Sequence, residues 1–172
     1  MPDDRLWLEK NTRLSPTSVW HLLADCRCLL NWCEEAGLVS RTQFPRRVMP
    51  KLQERLPDRL TDEEAETLRG LPDPHGFVCR LALGTGLRWG ELTRAQASEV
   101  DRDFLLVHQT KSRKVRRVPL TGDLLAEVRG HVGRLIPFAT LSPGSFANSV
   151  RRMSGITGFH VHQMRHTFAC QW

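Results

Sequence analysis

Between residues 41 and 59 the chain runs RTQFPRRVMPKLQERLPDR, with Pro45, Pro50 and Pro57 spaced through it and no sustained apolar period. Each proline removes a backbone donor and blocks a helix that tries to pass through it, so no regular element crosses this stretch. The chain must therefore fold as two units joined by a linker: a small one over 1–40, the linker over 41–59, and a larger one over 60–172. Arg41, Arg46, Arg47, Lys51, Arg55 and Arg59 make the linker basic. It reads either as a strap lying on a polyanion or as an exposed tether whose charge keeps it solvated.

In the first unit Ser15-Pro16 offers an N-cap followed by a proline at the first helical position. Val19, Leu22, Leu23, Cys26, Leu29, Leu30 and Cys33 then recur at three- and four-residue steps until Gly37, which predicts one amphipathic helix. The second unit opens at Thr61-Asp62-Glu63-Glu64, a capping box with acids in the first turn, and that helix should end at Gly70. FVCRLALGTGLRWGELTRA then reads as an apolar helix from Phe77 to Leu83, broken at Gly84–Gly86, with a second short helix from Arg88. DFLLVHQT and KVRRVPLT switch to strand-like spacing around a polar KSR turn and predict a hairpin. LTGDLLAEVRGHVGRLI returns to helical spacing, and two more helices are expected near 143–153 and 161–171. The fold class is mainly α with a small antiparallel β-hairpin, an α+β arrangement.

At 172 residues with 40% hydrophobic content the chain can bury a core. The N-terminal MPDDRLWLEK lacks the charge pattern of a signal peptide, and no apolar run reaches membrane-spanning length, so a cytoplasmic, nucleoid-associated protein is expected. The five cysteines, Cys26, Cys28, Cys33, Cys79 and Cys170, read as reduced thiols, four of them within apolar patterns. Cys26, Cys28 and Cys33 lie on differing faces of one helix, which argues against a metal site, and no cofactor is expected. Charge is unevenly placed: residues 1–104 carry 15 Lys/Arg against 17 Asp/Glu, whereas residues 105–172 carry 10 against only Asp123 and Glu127. Such a basic C-terminal part suits a polyanion partner, although a merely solubilising face has the same composition.

Two motifs suit the chemistry of a phosphodiester, which needs fixed cations around its non-bridging oxygens and a proton donor for the leaving oxygen. Arginine serves the first need, since its planar fork donates two parallel hydrogen bonds and stays charged. Arg88 follows Gly84-Thr85-Gly86 at a helix entrance where an anion fits, and Glu91, three residues on, can hold its guanidinium. Taken alone, GTGLR reads equally as a plain connection between helices. In HVHQMRHTFA, His162 and Arg165 stand three apart on one helical face with His166 on the next, an arrangement open either to a shared ligand or to surface decoration.

Taken in order, Gly86-Leu87-Arg88-x-x-Glu91, Thr110-Lys111-x-x-Lys114-x-Arg116-Arg117-Val118-Pro119, and His162-x-x-Arg165-His166 resemble the catalytic domain of tyrosine recombinases, the phage integrases and chromosome-dimer resolvases. The resemblance covers about residues 58–172 well, and residues 1–40 resemble part of the helical core-binding domain that precedes it. It implies that Arg88 and Arg165 clamp the scissile phosphate, that Lys111 protonates the leaving 5′-hydroxyl, and that His162 assists proton transfer, with Glu91 and His166 as supports. Arg113, Lys114, Arg116 and Arg117, with Arg46, Arg47 and Lys51 of the linker, read as duplex backbone contacts or as a solvated rim. Double-stranded DNA and full-length recombinase protomers are the implied partners.

The family's further His or Trp and its nucleophilic tyrosine should follow the HxxR box, yet the chain ends at Trp172 and contains no tyrosine. A truncated integrase catalytic domain that holds DNA without cleaving it alone is therefore expected, or a non-catalytic regulator of full-length integrase. A missing C-terminal helix would leave Met164, Phe168 and Trp172 exposed.

Overall fold

The computed structural model describes residues 13–40, 44, 49–52, 58–108, 115–138 and 141–171. The chain divides into two units, Met1–Leu56 and Pro57–Trp172. In the first, helix α1 (Pro16–Glu35) starts where Ser15 Oγ accepts the Ser18 N–H at 3.1 Å, as its cap sequence predicts. Val19 and Leu23 are its buried residues, while Leu22, Leu29, Trp32 and Cys26 of the expected apolar pattern and its alternate face are exposed.

The second unit is built on α2 (Asp62–Arg69), α3 (His75–Thr85), the single turn α4 (Trp89–Leu92), α5 (Gly122–Arg129), α6 (Pro143–Ser154) and α7 (Val161–Cys170). The capping box is formed: Thr61 N–H donates to Glu64 Oε2 at 2.9 Å and Glu64 N–H to Thr61 Oγ1 at 3.2 Å. α3 is central, buried along most of its length and packed on α2, α5 and α7. Its Cys79 is fully buried, and that burial pushes the thiol up to about 12, so it behaves as a small hydrophobe. Leu60, Leu68, Leu81, Leu83, Phe146, Phe159 and Met164 fill the same core. A buried hydrogen bond from Leu60 N–H to Thr167 Oγ1, 2.9 Å, ties the entry to α2 onto α7.

The strands β1 (Val100–Asp101), β2 (Phe104–Val107) and β3 (Arg116–Pro119) form an antiparallel sheet in that order, one short strand more than the hairpin patterning predicts. Leu105 lies opposite Val118 and Val107 opposite Arg116. Since successive side chains alternate between faces, Leu105, Val107 and Val118 are buried on one face, which Arg116 shares, while Leu106 and Arg117 lie on the other.

Two expectations need correction. The helical pattern of LTGDLLAEVRGHVGRLI yields a helix only to Arg129. Gly130 caps it, Gly133 takes a φ of +75°, and Leu135 N–H donates to Ala95 O at 2.9 Å, so Leu135 and Ile136 enter the core from irregular backbone. Pairing with the α4–β1 segment outcompetes the last helical turns. Met164, expected at an exposed surface, is fully buried on the inner face of α7 with Val161 and Thr167. Phe168 is half-buried, and Trp172 lies outside the described residues. Among the described residues, no helix is long and apolar enough to cross a membrane.

Candidate functional site

The site begins where α3 ends. Gly86 takes a left-handed φ of +60° as the C-cap, and a Cβ there would fall 2.2 Å from the Phe168 ring of α7, so glycine is required twice over. The chain then turns through buried Leu87 into extended Arg88, the N-cap of α4. Arg88 N–H donates to Glu91 Oε2 at 2.8 Å and its Nη1 to Glu91 Oε1 at 3.2 Å. The position expected for an external anion at this helix entrance is thus taken by the protein's own carboxylate. What remains for a ligand is the Arg88 guanidinium, half exposed at 49%.

Glu91 is a buried carboxylate, its side chain 4% exposed, and it gathers a second arginine. Arg116 Nη2 donates to Glu91 Oε2 at 3.0 Å, because Arg116 shares the inward face of the sheet with Val118. Its Nε is buried with no hydrogen-bond partner among the described residues. Arg117, on the opposite face, sits 3.7 Å from Asp101 and over the Phe104 ring at 6.0 Å. The two adjacent arginines, read alike from sequence as rim contacts, therefore have different surroundings.

Arg165 arrives from α7 and donates through Nη1 to the carbonyl of Gly86, the same residue that packs on Phe168. Burial depresses the pKa of its guanidinium, and the neighbouring charges of Arg88 and Arg116 depress it further against the pull of Glu91. For Glu91, burial works to raise the carboxyl. The Arg88 N–H and the two guanidiniums outweigh it and hold the pKa below the ordinary 4.5. These shifts place Arg88, Glu91, Arg116 and Arg165 in one electrostatic group. Arg88 and Arg116 contact the Glu91 carboxylate and Arg165 adds a third cation within reach of their charges, which suits an anion.

The other expected residues lie apart from this group or beyond the described residues. His162 is exposed on the first turn of α7 with no hydrogen bond or ion pair among the described residues, and His166 is exposed one turn on. Lys51 is exposed in the first unit. Lys111, Arg113, Lys114, Arg46 and Arg47 lie outside the described residues. Sequence reading missed a polar knot at the start of α7: Asp58 pairs with His160 Nε2 at 2.8 Å and accepts from Gln163 Nε2 at 2.9 Å. The Gln163 hydrogen bond and then that of His160 lower the Asp58 carboxyl below its ordinary range. His160 and Gln163 have the three-residue spacing of a helix cap, a signal the sequence does offer, but Asp58 lies too far away along the chain to be paired with them by pattern. Among the described residues no group of three or more His, Cys, Asp or Glu could hold a metal ion.

No family model matches the chain. It is similar to the tyrosine recombinase XerA of Pyrococcus furiosus, 29% identical over 141 residues, covering 70% of this chain and 49% of the relative. It is also similar to the integrase of Haemophilus phage HP1, 35% identical over 96 residues, covering 55% of this chain and 28% of the relative. The chain thus spans half or less of the length of these two relatives. Among solved structures, the catalytic domain of bacteriophage HP1 integrase is 28% identical with a TM-score of 0.52, covering 66% of this chain and 70% of that one. A lambda integrase dimer bound to a COC′ core site shares the fold at 19% identity and a TM-score of 0.64, covering 90% of this chain and 66% of that one. Arg88, Glu91 and Arg165 gather at one turn of that fold, and in both sequence and fold the chain is similar to the tyrosine recombinases, the phage integrases among them.

Proposed function

We propose that residues 60–172 form the catalytic domain of a tyrosine recombinase, that residues 1–40 are part of its core-binding domain, and that the protein takes part in DNA integration or recombination. Its site grips one phosphodiester of double-stranded DNA. The observation that carries this reading is the convergence of Arg88 and Arg165, from separate helices, on the Gly86 turn beside buried Glu91. Planar guanidiniums held from behind by a carboxylate and a carbonyl keep their outer N–H groups for the non-bridging oxygens of a phosphate.

In this reading an attacking oxygen forms a bond to phosphorus as the bond to the 5′-oxygen breaks. Lys111 gives its proton to that leaving oxygen, and His162 assists proton transfer at the nucleophile. Glu91 holds Arg88 in place and His166 flanks Arg165. Arg46, Arg47, Lys51, Arg113, Lys114 and Arg117 contact the duplex backbone without reading sequence. The 172 residues contain no tyrosine, so a phosphotyrosyl intermediate needs a phenol from outside them. What these residues do by themselves is hold the phosphate. A second reading, in which the chain occupies recombination sites or joins assemblies of full-length protomers as a non-catalytic regulator, rests on the same phosphate grip.

Both readings are tested by incubating the chain with nicked duplexes and resolving the products on denaturing gels beside binding titrations. The expected result is binding with no covalent adduct, and a loss of affinity of about tenfold or more for Arg88→Ala and for Arg165→Ala, the value of a charge-assisted hydrogen bond. A covalent adduct would overturn the need for an external phenol. Unchanged affinity in both variants would overturn the site.

A further inference from the structure

Arg116 accepts an unusual position. Its Nη2 is spent on Glu91 and its Nε is buried with no partner among the described residues, a burden of about 1–3 kcal/mol for a polar group in a protein interior. A guanidinium serving only as a rim contact would escape that burden by swinging into water, as the 66% exposed Arg117 next to it does. Instead Arg116 shares with Arg88 the two oxygens of one buried carboxylate, and its charge is felt at Arg165. Its side chain remains 37% exposed, so it is not sealed off from a ligand.

The charge of the group follows. Arg88, Arg116 and Arg165 against Glu91 leave two positive charges where Arg88 and Arg165 alone would leave one. A phosphodiester carries one negative charge. When an oxyanion adds to its phosphorus, the five-coordinate species carries two until the leaving oxygen departs with its proton. With the charge of Lys111 counted against the leaving oxygen it protonates, the remaining two net positive charges are balanced at that point of the reaction and in excess before it, so the group favours the transition state over bound substrate.

We propose that Arg116 is a third arm of the phosphate clamp, tied to Arg88 through the shared Glu91 carboxylate, and that it matches the clamp to a dianionic rather than a monoanionic phosphate. This rests on the reading that Arg88 and Arg165 bind a phosphate.

The test titrates the full chain with two small probes and follows arginine side-chain NMR signals. Dimethyl phosphate is a monoanion, and methyl phosphate is mostly a dianion at about pH 7.5, its second pKa being about 6. The wild-type chain should bind methyl phosphate about tenfold more tightly, the factor expected for one extra charge in a partly screened site. Arg116→Ala should erase most of that preference while still binding both probes. Arg116→Lys, which keeps the charge, should retain it, a rescue that a purely structural role would not produce. Arg152→Ala, which removes a charge from the exposed face of α6, should leave the ratio at the wild-type value. A wild-type ratio in Arg116→Ala, with both probes still lost in Arg88→Ala, overturns the role of Arg116 and leaves the phosphate site standing. If the wild-type chain binds neither probe, the phosphate-site reading falls and this proposal falls with it.

Discussion

Glu91 shows how one side chain organises several others. Its carboxylate is almost wholly buried and is kept ionised by the Arg88 N–H and two guanidiniums. Its folded pKa lies below the ordinary 4.5, so the stabilisation it contributes is complete above that value and is lost as pH falls through the folded pKa. We expect Glu91→Gln to lower unfolding free energy by about 2 kcal/mol at neutral pH, below the full value of a buried pair because both arginines are partly exposed. Urea titrations at neutral and acid pH should show that difference shrinking as pH falls through the lowered folded pKa, below the ordinary 4.5. A pH-independent difference would mean that Glu91 acts through packing alone. The pairing of Glu91 with Arg88 was legible in the three-residue spacing. Its sharing with Arg116 was not, because which of two adjacent arginines faces inward depends on the strand register.

At the scale of elements, the turn from α3 to α4 carries the site, and Gly86 is its most constrained residue. Gly86→Ala imposes a left-handed φ on a residue with a Cβ, costing about 1–2 kcal/mol, and adds an overlap with the Phe168 ring. We expect a total of about 3 kcal/mol by chemical denaturation, together with weakened phosphate binding because the Gly86 carbonyl anchors Arg165. Stability within about 0.5 kcal/mol of the parent would show that the turn relaxes. The capping box at Thr61 is simpler: Thr61→Ala should cost about 1 kcal/mol and leave phosphate binding untouched. That box and the Ser15 cap could be read directly, since a cap needs only residues three or four apart. The end of α5 could not, because Leu135 N–H finds its acceptor at Ala95, across the fold.

For the whole molecule, the uneven charge makes a prediction independent of any single contact. Residues 105–172 carry ten basic side chains against two acidic ones. Duplex affinity should therefore fall steeply with salt, with a log–log slope of about −0.9 for each phosphate neutralised. Removing Arg88 or Arg165 should lower that slope by about one unit, and Arg152→Ala much less. An affinity flat between low and moderate salt would remove the DNA-binding reading altogether. Composition showed this asymmetry without any fold, but a solubilising surface has the same composition. What composition does not supply is the contact of Arg88 and Arg116 with buried Glu91 beside Arg165, which sets this candidate site apart from spread charge.

From the sequence alone came what depends on near neighbours: the interrupting prolines, the helix starts, the hairpin, and the order of the arginine-bearing motifs. Local hydrogen bonds and periodicity act over a few residues, so a linear reading can follow them. Tertiary structure decided which face of β3 turns inward, that Met164 lies in the core, that Asp58 meets His160, and that Arg116 shares the carboxylate of Arg88. Those outcomes rest on contacts between residues far apart in the chain, whose energies exist only once the elements have packed.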